Sequence, residues 1–214
     1  MKLIQRISLG YIRSKFKVLS SLSKKKAAEM AFELFCTPGN RSIKPLSQIF
    51  DQGDKLQFSI EGIVVNGWRW KNSSGRKALI LHGFESSVGN FEKYIRLLIA
   101  KGFEVLAFDA PAHGRSGGKK INAPLYKRTI LEINKRYGPI QSFMAHSFGG
   151  LAVCLALEEI RPGSACRLVL IAPATETTTA INEFFKFLRI DSSIRPEFDK
   201  VIIKRSGKEP EWYS

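Results

Sequence analysis

A mostly parallel sheet covered by helices on both faces is the fold class this sequence predicts. Three observations carry the prediction. Four short runs are almost continuously apolar: KALILH (77–82), FEVLAFD (103–109), IQSFMAH (140–146) and RLVLIAP (167–173). Such runs suit strands buried on both faces. The stretches between them carry apolar residues at helical spacing, so strand and helix alternate. Finally, 214 residues that are 44% hydrophobic and 25% charged make ordinary globular composition, enough for one good core. Disordered, collagen-like and membrane-spanning classes are excluded.

The first 35 residues read as helical. Ile4, Ile7, Tyr11, Val18 and Leu22 share one face, and Lys2, Arg6, Arg13 and Lys17 fall on another. Gly10 weakens this helix. A second helical run, Ala27 to Phe35, stops before Thr37-Pro38-Gly39. LQFSI (56–60) and GIVVNGWRWK (62–71) alternate as a hairpin pair of strands, followed by a turn at Asn72-Ser73-Ser74-Gly75. In the alternating part, residues 90–101 form a helix with Phe91, Ile95, Leu98 and Ile99 inward. Residues 122–137 form another, capped by Asn122, with Ile130, Ile133 and Tyr137 inward. Residues 148–160 form a third that is nearly all apolar. After Pro173, a Thr-rich start leads into an aromatic stripe, Phe184, Phe185, Phe187 and Leu188, either packed on the sheet or forming a mobile cap. The expected division is a basic helical extension (1–50), an α/β core (51–173) and a cap-like helical segment (174–214).

The net charge is +15 and is unevenly placed: residues 1–50 hold ten lysines and arginines against two acids. The extension either packs on the domain or lies on an anionic membrane through residues 1–26. Nucleic acid is not expected as a partner, because no aromatic-interleaved basic stripe or helix-turn-helix pattern is present. Cys36, Cys154 and Cys166 are widely spaced and odd in number, so neither a disulfide framework nor a zinc site is expected. Arg6 interrupts what a signal peptide would need as an apolar core, and no stretch reaches the roughly 18 residues of a membrane span. The expected location is cytoplasmic. Gly117, Gly118, Gly149 and Gly150 lack the spacing of a nucleotide-binding loop, and no cofactor or metal is expected.

The chemistry gathers at strand ends. Ala145-His146-Ser147-Phe148-Gly149-Gly150 joins a buried strand to a buried helix, the setting of a nucleophile elbow. Gly149 gives the small residue required two positions after the serine, and Ala145 stands where glycine is usual before it. Leu81-His82-Gly83-Phe84 ends an earlier strand, and its glycine lets the loop double back. A third piece is Asp109-Ala110-Pro111-Ala112-His113-Gly114-Arg115-Ser116-Gly117. In this order, each after a strand, the three resemble the α/β-hydrolase superfamily, nearest to its small esterase, lipase and monoacylglycerol-lipase-like members. The resemblance runs from about Gly62 to Pro173. It implies Ser147 as nucleophile, with the amides of Phe84 and Phe148 as oxyanion donors. It also implies structural roles for His82, Gly83, Asp109, His113 and Gly149. His146 adjoins the serine, but on an extended backbone points the other way and is expected to be a buried, hydrogen-bonded histidine. Glu85 and Ser86 lie beside the oxyanion loop and are expected to be solvated.

A serine hydroxyl needs a histidine to take its proton and an acid to orient that histidine. In this superfamily both follow the serine. The three histidines here, His82, His113 and His146, all precede Ser147. The later acids, Glu176, Glu183, Asp191, Glu197, Asp199, Glu209 and Glu211, fall in the cap-like stretch. The triad acid and histidine are therefore expected to be missing, with the last strands of the fold, through truncation. The expected activity is hydrolysis of a small carboxylic ester, lipid-like or thioester, through an acyl-enzyme, with this chain by itself nearly inactive. The alternatives are a non-catalytic binding protein on the same scaffold, or a peripheral membrane protein acting through its basic helix. Oligomeric state is not specified by the sequence.

Overall fold

The computed structural model describes residues 3–39, 41, 43 and 45–213, with no side-chain description for residues 3–8, 211 and 213. The chain divides into two compact units, one from residues 37–175 and the other from residues 1–36 together with 176–214.

The first unit is the sheet. An antiparallel hairpin, β1 (Asp54–Ile60) and β2 (Ile63–Trp70), is joined to four parallel strands: β3 (Lys77–Leu81), β4 (Glu104–Phe108), β5 (Ser142–His146) and β6 (Arg167–Ile171). The order is β1-β2-β4-β3-β5-β6, with β2 antiparallel to β4. Register places Leu79 between Leu106 and Phe143, and Ile80 between Ala107 and Met144. Period-2 alternation then sends the two sets to opposite faces. Leu79, Leu106 and Phe143 pack with Tyr126, Ile130 and Ile133 of α4 (Ala123–Tyr137) and with Ala152, Val153 and Ala156 of α5 (Phe148–Ile160). Ile80 and Ala107 pack on the other face with Ile95 of α3 (Glu92–Ala100), Phe91, and Phe50 from a 3₁₀ turn (Gln48–Gln52). Asn122 caps α4, its side chain accepting from the Leu125 amide. The edge strand β6 keeps Leu168, Val169 and Leu170 between 37% and 50% exposed.

The second unit is all helical: α1 (Leu3–Leu22), α2 (Lys24–Phe35), α6 (Thr177–Leu188) and α7 (Arg195–Ser206). Its core joins Phe16, Ala27, Ala28, Ala31 and Phe32 to Ile181, Phe185, Leu188, Phe198 and Ile202. The rings of Phe32, Phe35, Phe184 and Phe185 meet edge-on or tilted, three of them around Phe198. The two ends of the chain thus share one core, a grouping different from separate segments at 1–50 and 174–214. Contact between residues so far apart in sequence leaves no local pattern to read.

The inward face of α1 is also different from the one the spacing suggested. Phe16 is buried and Leu9, Ile12 and Leu19 pack against the helical core. Tyr11, Val18 and Leu22 are 68%, 61% and 77% exposed. The helix has two apolar rows about 120° apart around its axis, and the bulkier one, carrying Phe16, takes the core. Lys2 lies outside the described residues, as do the side chains of Ile4, Arg6 and Ile7. No helix among the described residues is long and apolar enough to cross a membrane.

Candidate active site

β5 ends at His146 and α5 begins at Phe148, so Ser147 alone turns the chain, at φ 49° and ψ −120°. That left-handed φ strains a residue with a side chain by about 1–3 kcal/mol, which the surroundings must enforce. They do so with hydrogen bonds: the Ser147 amide donates to the Ile171 carbonyl (3.0 Å), and its own carbonyl accepts from Gly150 (2.8 Å) and Ala174 (3.1 Å). Close packing adds to them. A Cβ on Gly149 would sit 2.7 Å from the His82 carbonyl oxygen, and one on Gly83 would sit 2.9 Å from the Ser147 Cβ. Only glycine fits at either place, which is how the His82-Gly83-Phe84 loop comes to lie against the elbow. Ala145 is fully buried. The Ser147 side chain is half-buried and forms no capping bond to its helix.

Phe148 is the first residue of α5, so its amide has no acceptor within the helix and sits at the positive end of the helix dipole. Phe84 follows the Gly83 turn, and its ring meets that of Phe148 edge-on at 6.0 Å. Among the described residues neither amide donates a hydrogen bond.

Beneath these loops lies a buried polar network. Asp109 is fully buried, and its Oδ1 and Oδ2 accept from the Val88 and Arg115 amides, each at 2.9 Å. Burial raises its carboxyl pKa, while those two amides hold it down. His82 Nε2 accepts from the Ala110 amide (2.9 Å), so Nδ1 carries the proton and donates to the Gly83 carbonyl (2.8 Å). His113 repeats the pattern: Nε2 accepts from the Glu85 amide (3.0 Å) and Nδ1 donates to the Pro111 carbonyl (2.9 Å). Both imidazoles are thereby held neutral and spent on backbone groups. Desolvation pushes each pKa down to about 4, and the two rings, 5.2 Å apart, would repel if charged. Glu85 is held too, accepting from the Gly39 amide at 2.7 Å.

His146 is half-buried against the Phe91 ring, on the face of β5 that packs towards α3. The expected hydrogen bond to it is not among the described ones, and an aromatic contact takes its place. Sequence reasoning passed over Arg41. Its guanidinium donates to the Ser116 (2.6 Å) and Gly118 (2.9 Å) carbonyls, and its carbonyl accepts from Gly114 (2.9 Å), which fixes the 112–118 loop. A single arginine in an irregular stretch carries no local signal that would have marked it. Among the described residues no group of three His, Cys, Asp or Glu side chains could hold a metal.

The two histidines give the fold a pH dependence with a definite sign. Unfolded, they bind protons below about pH 6.5; folded, they resist until about pH 4. Stability is therefore full above pH 6.5 and is lost as pH falls from 6.5 towards 4, by up to about 3 kcal/mol per histidine. Melting curves across that range check this, and a His113→Gln variant should melt with a shallower slope.

The family model described as serine aminopeptidase, S33 matches residues 74–199. Human monoglyceride lipase is 28% identical over 162 residues, covering 68% of this chain and 53% of the lipase. An uncharacterized protein of Bacillus subtilis is 31% identical over 86 residues, covering 38% of this chain and 28% of its own length. Among solved structures, an esterase of Pyrococcus furiosus superimposes with a TM-score of 0.55 at 22% identity, covering 78% of this chain and 68% of the esterase. A probable hydrolytic enzyme of Pseudomonas aeruginosa gives 0.53 at 22%, covering 68% and 49%. The chain spans about half the length of the human lipase it matches. With the family model covering more than half of its residues and the parallel sheet and strand-to-helix turn in place, the chain belongs to the serine aminopeptidase S33 family of α/β-hydrolases.

Proposed function

We propose that the chain carries the nucleophile and oxyanion hole of a serine esterase acting on small carboxylic esters with an apolar acyl group. Ser147 Oγ attacks the ester carbonyl. The amides of Phe84 and Phe148 hold the oxyanion, each worth about 3 kcal/mol in the transition state. The Ser147 proton passes through solvent to the departing alkoxide, which leaves as the alcohol. Water then cleaves the acyl-serine to release the carboxylic acid and restore the hydroxyl. The observation that carries the reading is the strained Ser147 elbow at the start of α5, with the Gly83 turn packed against it. The monoglyceride lipases it is similar to support an apolar ester as the substrate. Thioesters and amides would use the same parts.

Among the described hydrogen bonds none joins Ser147 Oγ to a histidine. His82 and His113 have both ring nitrogens engaged, and His146 faces Phe91. Acylation by this chain's own groups therefore relies on the oxyanion hole and binding, which in a well-studied protease retain about 10³–10⁴ over water. The engagement of His82 and His113 on backbone groups favours the second reading, a binding protein that holds an ester without cleaving it.

A fluorophosphonate probe separates the two. The expected result is slow labelling of the Ser147 peptide, identified by mass spectrometry, that is lost in Ser147→Ala and accelerated by added imidazole. Labelling that survives Ser147→Ala would overturn the esterase reading, as would indifference to imidazole. Labelling as fast as in serine hydrolases with a full Ser-His-acid triad would overturn the statement that a base is lacking.

A further inference from the structure

We infer that the outer face of α1, continued by the start of α2, is a docking surface for an anionic lipid bilayer. The helix spends one apolar row, Leu9, Ile12, Phe16 and Leu19, on the helical core. A second row, Tyr11, Val18 and Leu22, stands in solvent at 61–77% exposure. These residues lie at i, i+7 and i+11, within about 20° of one line along the helix. Among the described residues they belong to none of the core clusters.

The charge in this stretch of the sequence is of one sign. The first 28 residues contain eight lysines and arginines and no acid. Lys15 lies in the row between Tyr11 and Val18, with Lys17 farther round the helix and Lys25 and Lys26 at the start of α2. All four are exposed and form no ion pair with a described residue. Arg13 lies on the other side, donating to the Phe187 carbonyl at 2.6 Å. An apolar row bordered by unneutralised cations suits a helix lying in the headgroup plane, its side chains inserted and its lysines on lipid phosphates. A nucleic acid would use the lysines but has no need of the apolar row, so charge complementarity and the exposed row together select the bilayer. The inference is independent of Ser147.

The test is sedimentation of the full chain with vesicles of phosphatidylcholine alone or mixed with phosphatidylserine. The expected result is binding to the mixed vesicles, weak binding to the neutral ones, and release by high salt. Val18→Glu/Leu22→Glu and Lys15→Glu/Lys17→Glu should each lower binding about tenfold or more, with unchanged melting temperature because all four sites are exposed. Tyr11→Trp should be quenched by brominated lipid in mixed vesicles, and Ser147→Ala should bind like the parent chain. Equal binding to neutral vesicles would overturn the inference. So would no binding at low salt, or binding untouched by Val18→Glu/Leu22→Glu, which would mark a general polyanion surface.

Discussion

Replacing Asp109 with alanine is expected to cost about 4 kcal/mol and to lower the melting temperature by roughly 10 °C. The carboxylate is fully buried and each oxygen has a separate duty, one to the Val88 amide and one to the Arg115 amide. Alanine leaves one buried and one partly buried N–H group without an acceptor, at about 1–3 kcal/mol each, and a cavity where the carboxylate stood. The loss spreads to two loops, because Val88 closes the segment that begins at Phe84 and Arg115 belongs to the turn after β4. Fluorophosphonate labelling of Ser147 should fall as well. Asparagine is the informative companion: its carbonyl can serve one amide, while its NH₂ faces the other donor, so about half the loss should remain. Urea unfolding of the two variants measures both. An Asp109→Ala chain within about 1 kcal/mol of the parent would mean the loops are held by other contacts.

The second large effect is expected at Gly149. Glycine to alanine inside a helix ordinarily stabilises by about 1 kcal/mol. Here the added Cβ would sit 2.7 and 2.9 Å from the carbonyl oxygens of His82 and Leu81, which are backbone atoms unable to turn aside. Overpacking of this kind costs about 1–3 kcal/mol or more and outweighs the propensity gain. Gly149→Ala should therefore destabilise by about 2 kcal/mol and slow labelling of Ser147, since the loop carrying Phe84 is forced away from the elbow. Gly10, with nothing within 4 Å of its would-be Cβ, is the matched control, and Gly10→Ala should gain up to about 1 kcal/mol. The opposite signs, read by denaturant midpoints, separate propensity from close contact.

These sites also show what a sequence displays and what it hides. Strands β3 to β6 and helices α3 to α5 were legible to within a residue or two, because each is written locally, as an apolar run or a 3.6-residue repeat. The Asn122 cap and the turns at Gly83 and Ser147 were legible for the same reason. Face selection was not. In α1 the spacing supports two apolar rows, and only the unseen partners Ile181, Phe185 and Phe198, more than 160 residues away, choose between them. The joint core of the two chain ends and the hold of Arg41 on the 112–118 loop were hidden likewise. His146 was read from pleat alternation, which gave its side of the sheet; its neighbour Phe91 came from a different element.

The positive φ at Ser147 places folding and chemistry in opposition at one codon. Glycine there would relax the bend and should leave a sturdier molecule, yet on the proposed mechanism it would remove the attacking oxygen. A programme that ranks variants of this chain by heat resistance alone would be drawn towards that exchange. Engineering for robustness should hold residue 147 fixed and look for gains in the helical unit instead.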